Sequence, residues 1–212
     1  MDPRNRGLIS PEKARMNRRR RIRGFTLIEM MVVVAISFIA SAMYFMSIQP
    51  ALRQTRVANA YNTVLATMRR ARETAIAERR IYIVTFVAPR TITITQAATG
   101  IVTNTFTLPT DVSFDAEPGI PNTPATTPDR FGTGGTAIDF DQGVPLGAKN
   151  MIYFQPDGSA QDVNSNVNNG VVYIARQGEL FSSRAITLWG ATGRIRGWRL
   201  YQNGAVKVWR QQ

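Results

Sequence analysis

The stretch RRRRIRGFTLIEMMVVVAISF, residues 18–38, decides the fold. Its arginines run into an apolar segment that continues to Ile48, and from Phe25 to Ile48 the one formal charge is Glu29. About 24 residues at a rise of ~1.5 Å make a helix of roughly 36 Å, enough to cross a bilayer. Lysine and arginine beside such a segment hold that end in the cytoplasm. A secretory signal would have a shorter apolar region ending in a small-residue cleavage site, whereas here the glycine lies at the basic-to-apolar junction. Glu29 then needs a reason. A carboxylate in a spanning helix costs a few kcal/mol and is normally kept for function, with a partner nearby. Being one turn from the helix start, it can reach back to the interface. Otherwise its partner is a cation, and the apolar segment supplies none.

The rest of the composition bounds the answer. The chain has 212 residues, so a leader and a spanning helix leave material for one modest domain. Cysteine and histidine are both absent, which removes disulfides, thiolate metal sites and the commonest general base. The net charge of +12 looks like a nucleic-acid signature until it is divided along the chain. Residues 1–24 hold nine basic and two acidic side chains, a net +7, so only +5 remains for everything else. More than half of the basicity is topogenic.

Arg23-Gly24-Phe25-Thr26-Leu27-Ile28-Glu29 and the apolar run after it resemble the class III signal of type IV pilins and type II secretion pseudopilins. The resemblance implies that a prepilin peptidase cuts after Gly24 and methylates the new amino terminus at Phe25, removing residues 1–24 as a basic leader. It also implies a partner for Glu29: the α-amine freed on Phe25 of a neighbouring subunit. Two charges costly alone in lipid become tolerable together, which favours assembled subunits over unassembled ones. The implied partners are the peptidase and other pilins or pseudopilins in a filament. The implied location is the inner membrane, with the C-terminal domain periplasmic, and then the pilus or pseudopilus. The 24-residue leader is longer than is usual for the family, and Pro50 falls a turn later than the kink proline of many major pilins.

Residues 25–49 are thus read as a transmembrane or filament-core helix and 50–80 as its amphipathic continuation. Val57, Tyr61, Val64, Leu65, Met68 and Ile76, with Ala60, Ala71 and Ala75 between them, recur at the spacing of one helical face. The shaft should end near Glu78. Beyond it the period switches to that of strands, first at 81–87 and 91–95. Further strands are predicted at 101–107, 136–141, 150–155, 171–175, 184–189, 194–201 and 205–209. One long helix followed only by strands implies an α+β fold, with antiparallel sheets of a globular domain, 81–212, packed on the helix. Residues 115–135 are rich in Pro, Gly and Thr and read as a mobile loop.

Phe154-Gln155-Pro156-Asp157-Gly158-Ser159 reads as a strand entering a turn. Together with Gly193-Arg194-Ile195-Arg196 it resembles the GspH/FimT group of minor pilins and pseudopilins. That resemblance implies two sheets against the helix and a low-abundance subunit near a filament tip. In the FimT branch the Gly-Arg-x-Arg motif is implicated in binding DNA for natural transformation. The alternative is a GspH-like pseudopilin of a type II secretion system with a purely structural role. Asp139 and Asp141 flank Phe140 and would share a strand face, so a metal or acid/base pair is conceivable, but a solvated face is the expectation. No phosphate loop, nucleophile elbow or metal-ligand cluster stands in the sequence, and the chain reads as a non-enzyme without cofactor or metal.

The C-terminal end reads as a hairpin turning at Asn203-Gly204, which sets Tyr201 opposite Val206, Leu200 opposite Lys207 and Trp198 opposite Trp209. Alternation then puts Arg194, Arg196, Trp198, Leu200, Lys207 and Trp209 on one face. Basic side chains interleaved with indoles suit a phosphate backbone with bases stacked beside it. An equally open reading makes the tryptophans core and the arginines solvated. With the motif resemblance added, Arg194, Arg196, Arg199, Lys207 and Arg210 are the candidate DNA-binding residues.

Overall fold

A computed structural model describes residues 24–132, 135–141 and 149–212, excluding the side chains of residues 46 and 47. The leader, apart from Gly24, lies outside the described residues. The chain divides into two units, Met1–Met46 and Ser47–Gln212, and one helix, α1 (Leu27–Glu78), contributes to both.

In the first unit α1 is apolar all round, with Leu27, Val32, Val33, Ile36 and Phe38 all exposed. It is long and apolar enough to cross a membrane. Thr26 caps it: the Glu29 N–H donates to Thr26 Oγ1 at 3.3 Å, so Thr-Leu-Ile-Glu has the spacing of a capping box. Ser37 and Ser41 return their hydroxyls to the Val33 and Ser37 carbonyls, 2.8 and 2.7 Å away, which hides them from an apolar surrounding.

In the second unit the helix becomes two-faced, as its spacing predicts. Val57, Ala60, Tyr61, Val64, Met68, Ala71 and Ala75 are buried, and Leu65 packs at their edge. Ile76 departs from the expectation and is exposed. Thr67 is buried instead, its hydroxyl satisfied by the Thr63 carbonyl at 2.7 Å. The helix stops where Arg79 turns left-handed at φ 53° and the Arg80 N–H reaches back to the Ala75 carbonyl, a C-terminal cap made without glycine.

Two antiparallel sheets follow, giving the α+β fold. One runs β3 (Val102–Thr107), β2 (Thr91–Gln96), β1 (Tyr82–Val87), β6 (Met151–Phe154), β7 (Ala160–Gln161). The other runs β11 (Val206–Gln211), β10 (Arg194–Asn203), β9 (Arg184–Trp189), β8 (Gly170–Ala175), β4 (Ser113–Phe114), with β5 (Ile138–Asp139) also paired to β8. Every predicted strand has a counterpart, though 136–141 shrinks to two residues. The two-residue strands β4 and β7 are too short to leave a pattern in sequence.

The buried helix face, the first sheet and one face of the second make the main core, with Phe86 stacked on Phe140 at 5.2 Å. Val171, Tyr173, Ala185 and Leu200 on the other face of the second sheet form a separate cluster with Ile120, Phe131, Trp198 and Trp209. This explains why β8, Gly-Val-Val-Tyr-Ile-Ala, is apolar at every position after its glycine: it is covered on both sides. The cover over the outer face is the segment 116–131, and that corrects the reading of it as a mobile loop. It is held by Asp129, which accepts from Thr187 Oγ1 at 2.6 Å and from Arg196 Nη1 at 2.9 Å.

Candidate functional site

The C-terminal hairpin differs from its predicted register by two residues. Asn203 pairs with Val206, Leu200 with Trp209 and Trp198 with Gln211, so the turn is Gly204-Ala205, with Gly204 left-handed at φ 60°. A turn at Asn203-Gly204 would have placed the left-handed residue second; the chain instead gives glycine the first central position. Because the slip is by two, side-chain parity survives. Arg194, Arg196, Trp198, Leu200, Lys207 and Trp209 share a face as expected.

That face is not an open basic surface. Leu200 is fully buried. Trp198 donates to Thr187 Oγ1 at 3.0 Å, Trp209 sits 5.8 Å from the Tyr173 ring, and Lys207 Nζ is bonded to the Gly119 carbonyl at 2.9 Å. The indoles and Leu200 are therefore packing groups that seat the 116–131 segment, and the interleaved stacking platform read from sequence is corrected to this. Arg196 is committed to Asp129, whose side chain is only 6% exposed. Arg199 and Arg210 project from the opposite face, their guanidiniums 5.0 and 5.6 Å from the centre of the Tyr201 ring. Arg199 also lies beside the buried Arg184, whose pKa is pushed down to about 10 by burial and then by the Arg199 charge.

Arg194 has a different setting. It is exposed, 5.4 Å over the Trp189 ring, and borders an open cleft of about 320 Å³ lined by Arg69, Arg72, Glu73, Thr192, Gly193, Arg194 and Ile195. Three guanidinium charges face one carboxylate there. The sequence did not single out Arg69 or Arg72 as site residues, because an arginine off the apolar face of an amphipathic helix carries no signal of what it borders.

The turn before β10, which lines the cleft, meets the other motif noted in the C-terminal half. Arg72 donates through Nε to the Gly158 carbonyl at 2.9 Å and through Nη2 to the Thr192 carbonyl at 3.1 Å, joining the Pro-Asp-Gly turn to the turn before β10. Gly193 is left-handed at φ 60°, and a Cβ on it would fall 1.8 Å from the Gly158 carbonyl oxygen, a backbone atom that cannot yield. Gly193→Ala is therefore expected to cost about 3 kcal/mol or more. Thermal unfolding of the detergent-solubilised chain should show a drop of roughly 6 °C or more; an unchanged midpoint would contradict the packing described.

Asp139 and Asp141 do not form a solvated strand face. Both are buried. Asp139 pairs with Lys149 Nζ at 3.2 Å. Asp141 lies beyond β5 with φ 61°, its N–H bonded to Asn168 Oδ1 at 2.6 Å. At the other end of the chain, Gly24 is exposed, and a Cβ on it would meet nothing within 4 Å. Among the described residues, nothing requires glycine there.

Residues 19–45 match the family described as Prokaryotic N-terminal methylation motif. No curated protein matches the chain in sequence. Among solved structures, the chain is similar to the type IV minor pilin FimU of Pseudomonas aeruginosa, at 14% identity and a TM-score of 0.43, over 69% of this chain and 90% of that one.

Proposed function

We propose that this chain is a minor type IV pilin of the GspH/FimT kind that carries a DNA-binding cleft. Its N-terminal helix anchors it in the inner membrane, N-terminus cytoplasmic and domain periplasmic. A prepilin peptidase cuts after Gly24 and methylates Phe25. The subunit then enters a filament with Glu29 paired to a neighbour's terminal amine. The methylation motif over residues 19–45 supports the processing half of this reading.

The observation that carries the DNA half is the cleft where Arg194, Arg69 and Arg72 converge around Glu73. Arg72 spends its donors on backbone carbonyls yet keeps its charge, while Arg194 and Arg69 are exposed. Guanidiniums grouped this way suit the phosphates of DNA and carry no base readout, so no sequence preference is expected. Arg199, Lys207 and Arg210 lie outside the cleft and are not part of the proposed site.

The test separates Arg194 from Arg196, which the sequence treats alike. Arg194→Ala with Arg69→Ala should weaken duplex binding by the mature chain strongly at low salt, and flatten the slope of log affinity against log salt by roughly 0.9 per lost phosphate contact. Arg196→Ala should act mainly on stability, because it strips Asp129 of its cation and loosens the 116–131 segment. Wild-type affinity in the Arg194/Arg69 pair would end the DNA reading and leave a structural pseudopilin of a secretion system.

A further inference from the structure

We infer that Asp141 and the loop Asp162-Val163-Asn164-Ser165-Asn166 form a calcium site that ties the ends of the two sheets together. The loop joins β7 of the first sheet to β8 of the second, and Asp141 follows β5, which pairs with β8. Asn168 fastens the two pieces: its Oδ1 accepts the Asp141 N–H at 2.6 Å, and its Nδ2 donates to the Met151 carbonyl at 2.9 Å.

Asp141 is the observation that asks for a ligand. It is only 3% exposed, yet neither carboxylate oxygen has a hydrogen-bond partner among the described residues. A buried carboxylate without donors is costly unless a cation or a proton joins it. Burial pushes its pKa up, and the neighbouring charge of Asp162 pushes it further, with Lys149 opposing both. A divalent ion would reconcile the two like charges.

The loop supplies the remaining oxygens. Aspartate and two asparagines at alternate positions have the spacing of the first three ligands in calcium-binding loops. Asp162 Oδ1 already accepts the Asn164 and Asn166 N–H groups at 2.9 and 2.7 Å, and Oδ2 accepts Asn166 Nδ2 at 3.1 Å. These bonds draw the loop into a tight turn around the carboxylate and leave lone pairs on Oδ2 unused. Asn164 and Asn166 are exposed; on binding each would turn its amide oxygen toward the ion, Asn166 giving up its Nδ2 bond to Asp162. The donor set is all oxygen with two carboxylates, which selects a hard cation. An adaptable surface loop suits calcium better than magnesium, which demands near-ideal octahedral geometry. With two charges in the set, the affinity should fall in the weak extracellular class, with Kd about 0.1–1 mM.

The test uses the full chain in detergent, stripped with a chelator and followed by thermal unfolding as calcium is added. At about 10 mM calcium the midpoint should rise by roughly 3 °C or more. Magnesium at the same concentration should give a clearly smaller rise. Asp141→Asn removes the unpartnered charge and should fold at least as well without calcium while losing the calcium response; Asp162→Asn, which also weakens the turn, is the secondary variant. A wild-type midpoint indifferent to calcium overturns the site. So does an equal response in Asp141→Asn, which would place any binding elsewhere, or an equal response to magnesium, which would reduce it to charge screening.

Discussion

A chain carrying Gly24→Val is expected to keep its leader when co-expressed with a prepilin peptidase, and to be missing from the filament fraction. The effect should be close to all-or-none, because a retained leader keeps a charged, basic segment of net +7 attached to the helix that must pack among its neighbours. The structure makes this a clean experiment. Gly24 precedes the helix, is exposed, and would accept a Cβ without contact, so among the described residues valine disturbs no packing, and the Thr26 cap is kept. Whatever is lost is lost at the peptidase. Intact-mass analysis of the membrane fraction reads the outcome: wild type should begin at a methylated Phe25, the variant at the leader. A variant processed at the same bond and to the same extent would disprove the assignment.

Glu29→Val should have the second-largest effect, at the next stage. Cleavage and insertion should be unchanged, since an apolar side chain lowers the cost of placing this helix in lipid by a few kcal/mol. The cap is also spared: the Glu29 backbone N–H, not its side chain, bonds Thr26 Oγ1, and valine keeps that N–H at a helix-propensity cost of a few tenths of a kcal/mol. Assembly is what should fail. Without the carboxylate, the terminal amine of a neighbouring subunit has no partner in the filament core, and recovery in sheared filaments should fall tenfold or more if the pair is worth about 1.4 kcal/mol there. Glu29→Asp, which keeps the charge on a shorter arm, should recover part of it. Equal amounts of wild type and Glu29→Val in sheared fractions would remove the role given to this residue.

The candidate DNA site was legible only in part, and the reason is local. Arg194 could be singled out because its motif is contiguous in sequence. Arg69 and Arg72 could not, since they come from a helix more than a hundred residues earlier and nothing in their own neighbourhood points at β10. Conversely, Arg196 read as a surface group, and the two C-terminal tryptophans stayed open between core and surface, because the segment covering them, 116–131, has the composition of a loop. That segment is bound down from far along the chain: Asp129 meets Thr187 and Arg196, Gly119 meets Lys207, and Glu117 meets Gly178.

The sequence by itself determined the long apolar helix, the two-faced shaft and the switch from helical to strand period, because each is written in the spacing of near neighbours. It also determined which residues of the C-terminal hairpin share a face, since a register error of two leaves parity intact. Tertiary structure decided which of those faces is covered, that the turns at Gly158 and Gly193 interlock through Arg72, and that Asp141 is buried with its N–H on Asn168, 27 residues away. The physical reason is common to all three. Burial and charge pairing depend on which distant segments the sheets bring within a few ångströms, and residue spacing along one strand or helix does not encode that distance.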